Sequence, residues 1–458
     1  MTTSGTSAAQ PAGMDVRAVL RSRKYLVGVL LAALIGIPVS ALAYAFLALV
    51  TLLQRLILTD LPTSLFGSTP AWWPIPWLVL GGVLTGLTIR ALPGNGGHSP
   101  ALGFQSGGAP TPRELPAVVL AALASLSLGA VLGPEAPLIA LGGGLGLLTV
   151  RLVARRGRNV TAEAGAMVAA AGTFAAVSTL LGSPLIGAFL ILEAAPVGGA
   201  ALVLATLPGL LAAGIGNLLF VGLGSWTGLG PLSLSLPALP DPGSPTLAML
   251  AWGAAFGVVA ALLAFVIRRG ALALRPIVHR SRVLVTGLLG LGIGLCALVF
   301  ALVSGDTPVE ILFSGQEALP GLIAHLDEIT VGTGLLLIAT KGVAYLLSLS
   351  AFRGGPIFPA MYLGAVLGMM ATALPGVPAA AGIAMGIGAM CAAMLGLPLT
   401  STLLATLLLG RQGLEVMPAV IVAVVIAYLV TARLPAPGRP DPTAVPGSDG
   451  PAPAAPPR

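Results

Sequence analysis

The stretch "GPEAPLIALGGGLG" at residues 133–146 places one carboxylate, Glu135, between two prolines at the start of an apolar run. A second stretch, "GPIFPAMYLGAVLG" at residues 355–368, repeats several of its glycines, prolines and leucines at an offset of 222 residues. Another pair, "LGSPL" at 181–185 and "LGLPL" at 395–399, recurs in the same order at an offset of 214. Two blocks repeated in register predict that the chain consists of two related halves.

The composition of the chain is typical of a membrane protein. Of its 458 residues 56% are hydrophobic and 8% are charged, and the mean hydropathy is +1.01. A soluble protein of this length carries about a quarter charged residues, and a transmembrane barrel shows short alternating segments instead of apolar runs of about 20 residues. The sequence therefore predicts an all-α polytopic membrane protein.

Apolar runs and polar breaks divide the chain into segments. The run at residues 25–58 is too long for the core of a signal peptide, so we expect an uncleaved membrane span. The C-terminal segment is rich in proline and alanine and is predicted to be disordered, with no soluble regulatory domain appended. The predicted parts are a polar N-terminus (1–24), a first membrane repeat (25–222), a connecting loop (223–246), a second membrane repeat (247–434) and the tail (435–458).

Basic residues gather in three short segments, Arg17 to Lys24, Arg151 to Arg158 and Arg268 to Arg282, within a net charge of +7. The positive-inside rule predicts that these segments, and with them the N-terminus, are cytoplasmic in a multi-pass protein of the plasma (inner) membrane. Because the clusters flank membrane segments and lack interleaved aromatic residues, a nucleic-acid partner is not expected.

The sequence contains no motif for a metal, a cofactor or a disulfide. Cys296 and Cys391 lie in apolar surroundings, and neither CxxC nor HExxH occurs. No nucleophile with a base at useful spacing is visible, so we do not expect an enzyme. The alternative class is an intramembrane enzyme or a polytopic scaffold. Anion flux into liposomes would distinguish a transporter from either of them.

The two Gly-Pro stretches are typical of helix starts inside a protein, because proline is tolerated in the first turn. Each start directs free N–H groups and the positive end of its dipole toward a common point, which attracts an anion. Glu135 lies in such a first turn and can occupy the place of the anion, as a gate and as a possible proton carrier. The alternative is that Glu135 only complements the dipole of a helix near the headgroups.

At these residues the sequence resembles the CLC family of chloride channels and chloride/proton antiporters, over roughly residues 25–434. The resemblance implies two inverted-topology repeats whose broken helices meet near the midplane, small inorganic anions such as chloride as substrate, and a homodimer in lipid. "VLGPEAPLIALGGGLG" resembles the block of the gating glutamate, which places Glu135 there. The implied anion-binding residues of this block and of "FRGGPIFPAMYLGAVLG" (352–368) are Gly133, Ala136, Gly355, Ile357 and Phe358.

Three departures from the family pattern fall on residues that handle the anion. Pro356 replaces an isoleucine and lacks an amide donor. In "GNGGHSP" (94–100) Gly97 aligns with the anion-binding serine of the family, with His98 and Ser99 following as candidate ligands. The alternative interpretation of this loop is a glycine-rich turn. Gly413 aligns with the pore tyrosine of the family, so that hydroxyl is absent.

The inner acids also depart from the pattern. In "ILEAA" Glu193 is followed by Ala194, where antiporters of the family carry a second glutamate that accepts the internal proton. Glu193 is either a structural acid bonded to amides or a proton site, and Glu163, His98 or a water chain are alternatives for the missing acceptor. The resemblance therefore favours a passive channel over a proton-coupled antiporter with a non-standard route. Lys341 is interpreted as either a snorkelling lysine or a charge that focuses anions.

Overall fold

The computed structural model describes residues 16–104, 109–155, 162–194, 200–227, 236, 239–326 and 329–435. The predicted disordered tail lies outside these residues except for its first position, as do parts of the polar N-terminus and of the connecting loop. The side chain of Glu163 also lies outside the described part.

The described part is almost entirely helical, which confirms the all-α prediction. Its α-helices are α1 (Val16–Arg21), α2 (Arg23–Arg55), α3 (Leu61–Phe66), α4 (Pro74–Ala91), α5 (Leu115–Ser127), α6 (Glu135–Arg155), α7 (Ala162–Leu180), α8 (Pro184–Ala194), α9 (Ala200–Thr227), α10 (Leu247–Arg280), α11 (Arg282–Ser304), α12 (Ala318–Ala324), α13 (Val331–Ala351), α14 (Ile357–Met370), α15 (Ala379–Leu395), α16 (Pro398–Leu408), α17 (Gly410–Glu415) and α18 (Met417–Arg433).

The ends of the helices follow the apolar runs with small shifts. The first run continues beyond its predicted end at residue 58 through a π-helical turn, Leu56–Asp60, into α3. Helix α9 ends at Thr227, five residues beyond the predicted end of the first repeat at residue 222. Helix α10 begins at Leu247, where the second repeat was predicted to begin.

Within the described residues, seven helical segments are long and apolar enough to cross a membrane. Others are too short: α5 has 13 residues, α8 has 11 and α14 has 14. At about 1.5 Å per residue, a helix of this length extends about 20 Å, less than the roughly 30 Å of a hydrocarbon core. These helices therefore begin or end inside the protein, as the broken-helix prediction requires.

The internal repeat reappears in how helices cross. A Cβ on Gly142 of α6 would lie 2.3 Å from the carbonyl oxygen of Gly172 on α7, and a Cβ on Gly364 of α14 would lie 2.4 Å from that of Gly386 on α15. The first members of the two crossings are 222 residues apart and the second members 214, the same offsets as the repeated sequence blocks. Both halves thus contain the same close helix crossing, which only glycine allows.

The second crossing generates a stability prediction. A Cβ on Gly368 would lie 2.1 Å from the carbonyl oxygen of Gly382, so Gly368→Ala must force α14 and α15 apart. We expect it to lower the free energy of unfolding by about 3 kcal/mol, the upper range for overpacked sites. Differential scanning fluorimetry in detergent measures this. The control is Gly321→Ala in α12, whose Cβ would meet no atom within 4 Å, and equal midpoints for the two variants would contradict the prediction.

Lys341 of α13 has a structural position. Its ammonium is fully buried and donates to the carbonyl oxygens of Glu310 (2.9 Å), Ile311 (3.2 Å) and Leu312 (3.0 Å). The nitrogen also lies 4.2 Å from the ring centroid of Tyr362. The snorkelling interpretation is therefore wrong, because the ammonium points into the protein and holds the carbonyl end of a short 3-10 helix against α13.

Replacing this lysine tests its structural role. Lys341→Met leaves three carbonyl oxygens without their donor, and we expect a loss of about 3 kcal/mol in the free energy of unfolding, since each unsatisfied buried group costs about 1–3 kcal/mol. Thermal unfolding in detergent checks this against Leu335→Ala, a change at an exposed position of the same helix. If Lys341→Met unfolds at the wild-type midpoint but alters anion flux, the focusing interpretation is favoured instead.

Candidate functional site

The site begins at a backbone bridge between the two halves. Gly133 donates its N–H to the carbonyl oxygen of Gly355 at 2.8 Å, and Gly355 donates to that of Gly133 at 2.6 Å. The two extended segments run antiparallel here, as expected for halves of inverted topology. Because α6 and α14 begin two residues after these glycines, the bridge places their N-terminal turns side by side.

Two serines hold the extended segments in a matching way. Ser125 Oγ of the first half accepts from the N–H of Arg353, and Ser348 Oγ of the second half accepts from the N–H of Val131, both at 3.0 Å. Each half therefore satisfies a buried amide of the other half, which would otherwise lack a partner.

Glu135 lies between the two helix starts and is fully buried. Its Oε1 accepts a hydrogen bond from the amide N–H of Phe358 at 2.9 Å, whereas Oε2 has no partner among the described residues. A Cβ on Gly133 would lie 2.2 Å from Oε2, and one on Gly355 would lie 1.9 Å from it. Both glycines are thus needed to leave space for the carboxylate.

The backbone amides that the resemblance implies as anion ligands have different hydrogen-bond acceptors in the structure. Those of Gly133 and Gly355 are bonded to each other's carbonyls, so these two residues shape the site and do not donate into it. Their role as anion ligands stays a prediction, which these hydrogen bonds do not support. Ala136 and Ile357 lie in first helical turns, where N–H groups have no intrahelical acceptor. The amide of Phe358 donates to the Glu135 carboxylate at 2.9 Å, and the amide of Ile357 is directed toward the same carboxylate.

A cavity of about 700 Å³ extends to Ala136 and Pro356, the chain neighbours of Glu135 and Gly355. Gly97, His98 and Ala136 from the predicted set line it, together with Arg353 and Pro356. Ser99 and Gly413, the other two predicted positions outside the repeated blocks and the inner acid, are not in its wall. Ser99 is the extended residue before the 3-10 helix Pro100–Leu102, and Gly413 packs against α16, where its Cβ would lie 2.1 Å from the carbonyl oxygen of Thr406.

The glycine-rich loop beside the cavity has left-handed backbone. Gly94, Asn95, Gly96 and Gly97 have φ values of 90°, 53°, 66° and 90°, a region that favours glycine and tolerates asparagine. The loop therefore has the conformation of a glycine-rich turn, and the ligand roles of Gly97, His98 and Ser99 stay predictions. The same conformation lets the carbonyl oxygen of Asn95 accept from the side chain of Arg353.

His98 is a weak candidate for a charged ligand. Its Nε2 lies 3.1 Å from the carbonyl oxygen of Gly103. Burial lowers the pKa of His98 below its ordinary value, the hydrogen bond to Gly103 opposes this, and the positive charges of Arg353 and Arg275 lower the pKa further. The imidazole is therefore neutral at pH 7. Among the described residues there is no cluster of His, Cys, Asp and Glu that suits a metal ion.

Arg353 is the residue that the sequence analysis missed. It is 7% exposed, lines the cavity and lies two residues before Gly355 of the bridge. The signal was present in the sequence, since Arg353 is the one charged residue in "FRGGPIFPAMYLGAVLG". The resemblance drew attention to the amides of this block instead.

Glu193 joins α8 to the start of α16. Its Oε1 accepts from the N–H of Leu399 at 2.9 Å, and its Oε2 accepts from the N–H and the hydroxyl of Thr400, each at 2.7 Å. The carboxylate thereby satisfies two orphan amides of a helix N-terminus. This arrangement favours the structural interpretation of Glu193 over a proton site.

A substitution separates the two interpretations. Glu193→Ala removes three hydrogen bonds to a charged acceptor and leaves the first turn of α16 uncapped, so we expect a loss of about 2 kcal/mol in unfolding free energy. The pH dependence of anion flux should stay as in the wild type. Thr400→Val, which removes one of the three bonds, should show a smaller loss. An unchanged unfolding midpoint with an altered pH dependence would instead favour a proton site.

A family model described as voltage gated chloride channel matches residues 94–432. The chain belongs to this family, CLC. Membership and the helical fold support transport of chloride or similar anions as the class of function, and the resemblance in the repeated blocks is confirmed at the level of the family.

Among curated CLC relatives, the YfeO protein of Salmonella newport (strain SL254), whose name describes ion transport, is 29% identical over 378 residues, covering 79% of this chain and 84% of its own length. YfeO of Escherichia coli (strain SMS-3-5 / SECEC) is 28% identical over 371 residues, with coverage of 79% and 82%.

Solved CLC structures share the fold. The crystal structure of a slow cyanobacterial Cl⁻/H⁺ antiporter has a TM-score of 0.71 at 20% identity, covering 88% of this chain and 94% of that one. A CLC-type fluoride/proton antiporter has a TM-score of 0.68 at 18% identity, covering 92% and 97%. At these identities the likeness concerns the fold.

Proposed function

We propose that this chain is a passive channel that moves small inorganic anions such as chloride across the membrane. Each protomer contains its own pore, and the Glu135 carboxylate is the gate of that pore. The single observation that carries the proposal is the position of that carboxylate. It is fully buried between the starts of α6 and α14 and accepts a hydrogen bond from the amide of Phe358.

The carboxylate occupies the place that suits an anion. An ionised group buried without a partner is strongly unfavourable, and no cation lies within 4 Å of Glu135 among the described residues. What compensates its charge is the Phe358 amide and the positive ends of two helix dipoles. A permeating anion would receive the same compensation, so the carboxylate and the anion compete for one place.

The inner acid pattern supports a passive pore. The position of the second inner glutamate is held by Ala194. The neighbouring Glu193 already accepts three hydrogen bonds at the start of α16. A proton arriving from the inner side therefore lacks the acceptor that antiporters of the family use.

A proton-coupled antiporter is the second candidate, and one observation favours it. Glu135 Oε2 is buried without a hydrogen-bond partner among the described residues, so a proton can be accommodated there and would neutralise the group. In that case the internal proton route is non-standard.

The proposal also includes a homodimer, as the resemblance to the family implies. The protein lies in the inner membrane with a cytoplasmic N-terminus, as the arginine-rich segments predict.

The test is anion and proton flux in liposomes that contain the purified protein. A chloride gradient drives efflux while potassium and valinomycin set the voltage, and external pH is recorded beside chloride. We expect chloride efflux without uphill proton movement. Glu135→Gln removes the competing charge, so its efflux should be several-fold faster and independent of pH, whereas wild-type efflux should rise as pH falls and Glu135 becomes protonated.

The matched control is Glu415→Gln, which removes an equal charge from a surface ion pair with Arg411 and should leave flux unchanged. Uphill proton movement that disappears in Glu135→Gln would favour the antiporter. If neither the wild type nor Glu135→Gln conducts chloride, fluoride or nitrate, the transport proposal fails and the enzyme or scaffold class is favoured.

A further inference from the structure

Arg353 is a buried cation that the gating scheme does not use. Its side chain lines the cavity with Gly97 and His98, and only 7% of the residue is exposed. The backbone N–H donates to Ser125 Oγ at 3.0 Å, which holds the backbone of the residue in place.

The guanidinium is only partly satisfied by the protein. Nε and Nη2 donate to the carbonyl oxygen of Asn95 at 3.1 and 3.0 Å, and Nη1 donates to that of Phe352 at 3.1 Å. A guanidinium has five N–H groups, and these bonds use three of them. One N–H on each terminal nitrogen is left without a partner in the described part of the chain.

No negative charge in the described part of the chain forms an ion pair with this cation. In the described ranges no carboxylate lies within 4 Å of Arg353, and Glu114, in the same cavity wall, accepts from the N–H of Thr111 at 2.7 Å. Arg275 and Arg282 are near enough to repel Arg353. Because a buried charge is strongly unfavourable without a counter-charge, the compensating anion must come from the solution in the cavity.

We propose that the cavity contains an anion-binding site in which the two remaining N–H groups of Arg353 bind a small inorganic anion before it reaches Glu135. This rests on the proposed function and adds the residue that recruits the substrate. Arg353 lines the same cavity as Gly97, where the resemblance places a hydroxyl ligand that this chain lacks. A guanidinium binds planar oxyanions through paired N–H groups better than a point charge does. The ratio of nitrate affinity to chloride affinity should therefore be higher with arginine at this position than with lysine.

The test is isothermal titration of the purified full-length protein in detergent with potassium chloride and with potassium nitrate, in a gluconate buffer. Arg353→Gln should weaken both affinities by about tenfold or more, the equivalent of one charged hydrogen bond. Arg353→Lys keeps the charge, so chloride affinity should stay within about threefold while the nitrate-to-chloride affinity ratio falls, because an ammonium has no planar fork.

The control is Arg269→Gln, an exposed residue of α10 that removes the same charge outside the cavity and should bind both anions as the wild type does. The proposal is overturned if folded Arg353→Gln binds like the wild type. If that variant does not fold, unchanged chloride and nitrate affinities in Arg353→Lys overturn it. Binding that depends on Arg353 in a protein without liposome flux would contradict the proposed function and leave the anion site standing.

Discussion

The reciprocal hydrogen bonds between Gly133 and Gly355 are the constraint on which the rest of the site depends. They join two extended segments inside a protein that is otherwise helical in its described part. The bridge aligns the starts of α6 and α14, so two positive helix ends converge on one place. That convergence allows a carboxylate to be buried there. Any side chain at either glycine would occupy the space of Glu135 Oε2.

A chain with only 8% charged residues buries three charged side chains near this centre, and it satisfies each of them differently. The ammonium of Lys341 is surrounded by three carbonyl oxygens and holds a loop. Glu135 has one amide donor and one oxygen without a partner. Arg353 has carbonyl acceptors but no counter-charge. A fully coordinated charge stabilises the fold, whereas an incompletely coordinated charge leaves capacity for a proton or an ion.

Much of the fold follows from the sequence alone, because a membrane limits the possible structures to apolar helices with internally bonded backbone. The repeat offsets located equivalent helices, and the Gly142–Gly172 crossing recurs as Gly364–Gly386 at those offsets. The sequence also indicated that Glu135 lies at a helix start, since it follows Gly-Pro in a repeated block. Helix ends were located only to within several residues, since α9 extends to Thr227 beyond the predicted end of the first repeat.

The sequence by itself determined the helical class, the two halves and the residue between the two helix starts, since these depend on local composition and periodicity. Only the tertiary structure decided which groups satisfy one another. It paired the amides of Gly133 and Gly355, capped α16 with Glu193 and surrounded Lys341 with carbonyls. It also brought Arg353 to the cavity through a carbonyl 258 residues away in the chain. Such contacts join distant segments, so the partner of a polar group is fixed by how the helices pack.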